Sequence, residues 1–233
     1  MCIRDSFYYG DDYDQIEYMM SSWKKAGAYR AVFLPGAPTY SRPSQFINAV
    51  TAARRGGADG ACGFAFTMSL YDQFGFKSFD HDWRWKALML ASMSNFPTPE
   101  LEAYSIMENP AELVERLAVS EQITVISDSD ISEFYDKLEV LIPGQICLTN
   151  ESTDKGDSKK EFSLIIEEPR PNRENKWLVD FQIHDEVGEG KGIIQMKNNT
   201  VVISGSDANA IMNAQKLFLR FAEMAKVESL YYQ

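Results

Sequence analysis

The part of this chain that most constrains its fold is residues 29–72. It opens with the apolar run YRAVFLPG, continues through QFINAVTAARRGGADG, and closes on a second apolar run, ACGFAFTMSLYD. In the middle segment Phe46, Ile47, Val50 and Ala53 fall on one helical stripe, while Asn48, Thr51, Arg54 and Arg55 belong to other faces. Neither flanking run alternates polar and apolar residues, as expected of parallel strands covered on both sides. Strand, helix and parallel strand together predict a βαβ unit with a right-handed crossover, the building block of α/β barrels and doubly wound sheets. Residues 7–9 (FYY) predict a preceding strand end. Ile16, Met19, Met20 and Trp23 predict a helix before the first apolar run, and Trp83, Ala87, Leu90 and Ala91 predict another after the second.

Folds of this kind carry their sites at the carboxyl ends of the strands. Tyr9, Asp11 and Asp12 follow the first strand end; Tyr40 and Ser41 follow the second; Ser69, Tyr71 and Asp72 follow the third. Aromatic faces beside hydroxyl and carboxylate groups suit a polar ring such as a sugar, by stacking and by accepting its hydroxyl protons. Tyr9, Asp11, Asp12, Tyr40, Ser69, Tyr71 and Asp72 are therefore the candidate substrate-binding residues. Each also has a plain structural use: tyrosines seal a barrel rim, and acidic residues favour helix amino termini.

Several chemistries lack material. The chain holds only two histidines, His81 and His184, and its three cysteines, Cys2, Cys62 and Cys147, show no metal-ligand spacing. No metal or cofactor is expected. Cys62 and Cys147 sit in apolar, strand-like runs and are expected to be buried free thiols. Asp and Glu number 34 against 23 Lys and Arg, a balance that opposes nucleic acid as the main partner. No apolar run approaches the roughly 20 residues that span a bilayer. Residues 1–6 (MCIRDS) resemble the translated adapter read-through that begins many metagenome-derived reading frames, and lack the apolar core of a secretory signal. On that resemblance the natural protein begins further upstream and this chain is a carboxyl-terminal fragment. On that reading the sequence assigns no localisation, and export would suit a polysaccharide-active enzyme.

The pattern changes after residue 96. Pro97, Pro99 and Pro110 bracket an expected linker over residues 97–110. A short helix is expected over residues 111–118 and a strand at ITVIS (123–127), with Asp130 capping a further helix. Short β-type runs follow at 138–142, 146–150, 162–167, 177–183, 192–196 and 200–204, separated by charged turns, which predicts an antiparallel meander. The closing segment, SDANAIMNAQKLFLRFAEMAK, predicts a long helix capped by Ser206 or Asp207, with Ile211, Ala214, Phe218, Phe221 and Ala225 as its apolar stripe. Residues 111–233 thus read as a small α+β domain with an antiparallel sheet.

The succession YYGDD, WKKAG, VFLPG, AARRGGADGACGFAF and SLYD resembles the end of glycoside-hydrolase-like (β/α)8 barrels, over residues 7–95. VVISGSDANAIMNAQKLFLRF is similar to the strand-turn-helix that closes small α+β accessory domains of several glycosidases, although there the domain precedes the barrel. The resemblance implies an incomplete TIM-type barrel over residues 7–96 and an accessory domain over residues 111–233. It further implies hydrolysis of O-glycosyl bonds by catalytic carboxylates on strands upstream of Phe7, with the residues above forming the sugar-facing rim. The alternative is a non-catalytic carbohydrate-binding or surface-assembly protein on the same scaffold. A lyase or aldolase is a third reading, since fold does not fix function.

Overall fold

The computed structural model describes residues 13–26, 32–33, 42–58, 60–61, 86–87, 90–91, 103–106, 109–143, 145–149, 161–167 and 192–232. The chain divides into two compact units, Met1–Phe96 and Pro97–Gln233.

In the first unit, α1 (Tyr13–Lys25) precedes β1 (Val32–Phe33), α2 (Pro43–Arg55) and β2 (Gly60–Ala61). β1 and β2 pair in parallel, Val32 with Gly60 and Phe33 with Ala61, so the expected βαβ unit forms. Among the described residues this sheet has two strands and does not close on itself. Lys86, Ala87, Leu90 and Ala91 are helical, the last three buried, where the sequence predicts a helix. The expected strand end at residues 7–9 lies outside the described residues.

α2 is buried on more of its surface than its apolar stripe requires. Ala49, Ala52 and Ala53 join Ala58 and the α1 residues Ile16 and Met20 in one core cluster. Phe46, Ile47 and Val50 are buried too. Thr51, placed on a polar face by periodicity, is also buried, and its hydroxyl donates to the Ile47 carbonyl at 2.8 Å. That bond removes the cost of an unsatisfied hydroxyl. The helix ends in a Schellman turn: Ala58 N–H donates to Ala53 O and Gly57 N–H to Arg54 O, with Gly57 at φ 92°. Only glycine reaches that angle without a Cβ penalty.

The second unit is built on a six-stranded sheet. Its elements are β3 (Ala103–Ile106), α3 (Pro110–Val119), β4 (Gln122–Ser127), α4 (Ser132–Leu141), β5 (Ile146–Thr149), β6 (Glu161–Ile166), β7 (Gly192–Lys197), β8 (Thr200–Gly205) and α5 (Ala208–Ser229). The strand order is β3-β7-β8-β6-β4-β5. Strands β8, β6, β4 and β5 run parallel; β7 opposes β8, and β3 follows β7.

This arrangement corrects three expectations. The sheet is mostly parallel rather than an antiparallel meander, because α4 carries the chain from β4 back to the same edge and makes a second βαβ unit. Among the described strands only β7 and β8 form a hairpin, closed by the two-residue turn Asn198-Asn199 with Asn198 at φ 55°. The run at 138–142, expected as a strand, closes α4 and the turn after it: Leu138 packs inward, Val140 is 71 % exposed, and Ile142 donates its N–H to Leu138 O. The expected linker contributes β3, which pairs with β7. The expected strand at 177–183 lies outside the described residues. Overall the class is α/β, and neither unit contains a closed barrel among the described residues.

Among the described helices of this unit, α5 packs against α3 and α4 and against strands β3, β7 and β8. Asp207 caps α5 by accepting the Ala210 N–H at 2.9 Å, as its position after a strand predicts. Ala210, Ala214, Leu217, Phe218, Phe221 and Ala225 form the buried stripe of α5, and the Phe218 ring meets Phe134 of α4 at a centroid distance of 6.1 Å. The first two turns of α5 sit almost on the backbone of the sheet. A Cβ on Gly192 would overlap the Ala210 carbonyl oxygen and stand 2.7 Å from Ala214 Cβ; one on its cross-strand partner Gly205 would stand 2.6 Å from Ala210 Cβ.

At the other end of the hairpin, Arg116 of α3 donates to the Asn198 carbonyl at 2.8 Å and to Asn199 Oδ1, while Glu112 Oε1 accepts from its Nε at 2.9 Å. The guanidinium fork thereby holds the turn in its left-handed conformation.

Two outcomes follow for stability. Gly192→Ala should lower the free energy of unfolding of this unit by about 1–3 kcal/mol or more, read from urea denaturation, because backbone rather than a flexible side chain must move. Arg116→Ala should cost about 1–2 kcal/mol in the same measurement, with Arg116→Lys recovering only part, since an ammonium cannot reproduce the fork.

Candidate functional site

A cavity lies at the carboxyl ends of β4 and β6. These two strands are adjacent and parallel, and the chain leaves them in opposite lateral directions. β5 lies on the outer side of β4, whereas β7 and β8 lie beyond β6. An open α/β sheet forms a crevice where its strand order turns in this way. The loop after β4, the residue after β6 and the amino-terminal halves of α4 and α5 enclose a groove of about 410 Å³, within the usual range for small-ligand sites.

The floor is apolar. Phe134, Ile166 and Ile211 are buried there beside Ile131, and Met212, 44 % exposed, stands at the mouth. The rim carries Asp130, Glu133, Lys137, Glu167 and Lys216 with the amide of Gln215. Asp130 accepts the Ser132 N–H at 3.0 Å, which together with the Ser132 hydroxyl holds its carboxyl below the usual carboxylate range. Glu133 is held below its ordinary value first by the hydrogen bond from Lys137 Nζ at 2.6 Å, then by the charges of Lys137 and Lys216. On the other side of the loop, Ser127 Oγ accepts the Ser129 N–H at 3.2 Å, and a second depression of about 430 Å³ runs past Tyr135 and Asp136 to Leu148.

Two carboxylates held ionised at neutral pH accept hydrogen bonds; they do not deliver protons. No grouping of three or more His, Cys, Asp or Glu able to hold a metal occurs among the described residues. The groove is thus equipped to bind a ligand that presents donors to Asp130 and Glu133 and an apolar surface to Met212 and Ile211. Sequence reading gave Asp130 only as a cap. Its signal was the run S-D-S-D-I-S between a strand and a helix, which puts two acids and three hydroxyls at a strand's carboxyl end.

The seven residues expected to bind substrate, Tyr9, Asp11, Asp12, Tyr40, Ser69, Tyr71 and Asp72, all lie outside the described residues. No helix among the described residues is long and apolar enough to cross a membrane. No protein-family model, curated protein or solved structure matches the chain.

The two depressed carboxyls set the sign of an acid response. A group whose folded pKa is lowered stabilises the fold above its unfolded value, near 3.8 for Asp130 and 4.5 for Glu133, and that contribution is lost as pH falls through the lower folded value. Thermal melts should therefore show stability falling as pH drops from neutral through this window. The Asp130→Asn/Glu133→Gln double variant should show a shallower fall, and identical slopes would remove both groups from the acid response.

Proposed function

We propose that the chain belongs to a carbohydrate-active hydrolase that cleaves O-glycosyl bonds. On this reading residues 7–96 supply late strands of a (β/α)8 barrel, and Tyr9, Asp11, Asp12, Tyr40, Ser69, Tyr71 and Asp72 line its sugar-facing rim. The catalytic carboxylates belong to earlier strands of the same barrel, since no motif here matches them, and residues 111–233 act as an accessory domain. The observation that carries the reading is the parallel pairing of β1 with β2 across α2. A parallel pair directs both carboxyl ends the same way, so the tyrosine-, serine- and aspartate-bearing segments after the two strands leave from one edge. The resemblance of residues 7–95 to glycoside-hydrolase-like barrels supports the same conclusion.

Calorimetric titration of the 233-residue chain with a panel of neutral and acidic oligosaccharides tests the rim. A binding saccharide is expected, with affinity reduced roughly tenfold or more in the Tyr40→Ala/Tyr71→Ala double variant, the loss expected for one or two stacking faces. Joined to earlier barrel strands, the chain should hydrolyse an aryl glycoside of the same sugar. Absence of both saccharide binding and hydrolysis would overturn the proposal. Binding without hydrolysis in the longer protein would indicate a carbohydrate-binding scaffold instead.

A further inference from the structure

Among the described residues β5 is the outermost strand on one side of the second unit's sheet, and its direction of hydrogen bonding can be read from its register. Ile123 pairs with Ile146, and Ile123 N–H donates to Gln145 O. In a parallel pair this geometry turns the amide and carbonyl of Gln145, Cys147 and Thr149 toward β4, and those of Ile146 and Leu148 away from it. Tyr135 of α4 covers one of the outward groups, its hydroxyl donating to Ile146 O at 3.5 Å. No strand among the described residues pairs with the outer edge at Leu148.

The side chains along this edge do nothing to discourage a further strand. β5 reads ICLT, with no proline, lysine or glutamate, the residues that natural edge strands use to block pairing. Leu148 is 49 % exposed and Cys147 is exposed, a correction to its expected burial that follows from the edge position. Leu148 shares the helix face of the sheet with its partner Val125, and a depression joins it to Asp136 of α4. Val140, 71 % exposed, stands one turn beyond Asp136 on the same helix face. Outward backbone groups and two exposed aliphatic side chains thus share one flank.

We propose that this flank pairs with the same flank of a second copy of the chain, β5 against β5 in antiparallel register across a two-fold axis. The edge is self-complementary: with the axis at Leu148, its N–H donates to the Leu148 carbonyl of the second copy and its carbonyl accepts the reciprocal bond, a hydrogen-bonded pair that joins two six-stranded sheets into one. The uncharged sequence of β5 lets two copies approach without like charges meeting in the strands, which a chain of net charge −11 needs. A four-residue strand with two aliphatic contacts makes a small, concentration-dependent interface that strengthens as salt screens the overall repulsion.

Sedimentation equilibrium of the chain, up to roughly 1 mM and at low and high salt, is the test. A monomer–dimer equilibrium favoured by salt is expected. It should be abolished in Leu148→Lys and in Leu148→Pro. The proline removes an outward amide without taking a rung from the ladder to β4, a position edge strands tolerate. Circular dichroism of both variants should match the parent. A chain that stays monomeric throughout, or a dimer unchanged in both variants, overturns the proposal. Should the variants misfold, the parent decides. With Cys2→Ser and Cys62→Ser in place, the proposed register sets the two Cys147 residues on a diagonal about 7–8 Å apart. A short bifunctional thiol reagent then links the dimer through Cys147, and a dimer that resists linking overturns the pairing.

Discussion

The second unit rests on the absence of side chains at one place. Gly192 and Gly205 face each other across the β7–β8 hairpin, and Ala210 and Ala214 come down onto them from α5. Because nothing larger than a hydrogen stands between helix and sheet there, the first two turns of α5 lie against the strands. Its larger side chains, Leu217, Phe218 and Phe221, are then fully buried further along. Each such side chain contributes about 1.5–3 kcal/mol when removed from water. α3 and α4 pack against α5 in turn, so the small-on-small contact positions them as well. The groove between α4 and α5 inherits its width from the same contact.

Individual elements were more legible than their arrangement. The 3.6-residue stripe and Asp207 located α5 well, and β4, β6, β7 and β8 were placed within a residue or two of their observed bounds. Periodicity also found the first βαβ unit. What a short run such as FSLII cannot state is which strand it will neighbour; its alternating burial fits a parallel or an antiparallel ladder equally. LEVLI read as a strand because its composition is β-like, and only the Asp130 turn before it, with a complete helical repeat between Phe134 and Leu138, marks it as helix. Thr51 and Cys147 were misplaced in opposite directions for one reason. Burial depends on what packs outside an element, and neither a polar threonine nor an apolar-looking strand encodes that.

The groove and the proposed sugar rim differ in chemical character. At the groove, Asp130 and Glu133 are tied to a backbone amide and to lysines, so their charge is fixed at neutral pH. Such groups accept hydrogen bonds from a ligand and carry no proton to give to a leaving group. Glycosyl transfer to water instead requires one carboxyl that keeps its proton and a second that does not. The groove of the second unit is accordingly suited to holding a ligand, since it lacks the protonated member of such a pair.

Strand order has a consequence for how the second unit comes into being. β3 is the first strand of the unit in the chain, yet its neighbour β7 begins at Gly192, and the helix covering both ends at Ser229. The centre of the sheet, β8 beside β6, likewise joins segments separated by a long stretch of polypeptide. During synthesis β3 has no partner strand until β7 has left the ribosome, whereas β4 meets β5 and β6 much sooner. Assembly from such distant partners is slow for reasons of chain entropy alone, and throughout that interval β3 remains open to whatever extended polypeptide it meets first.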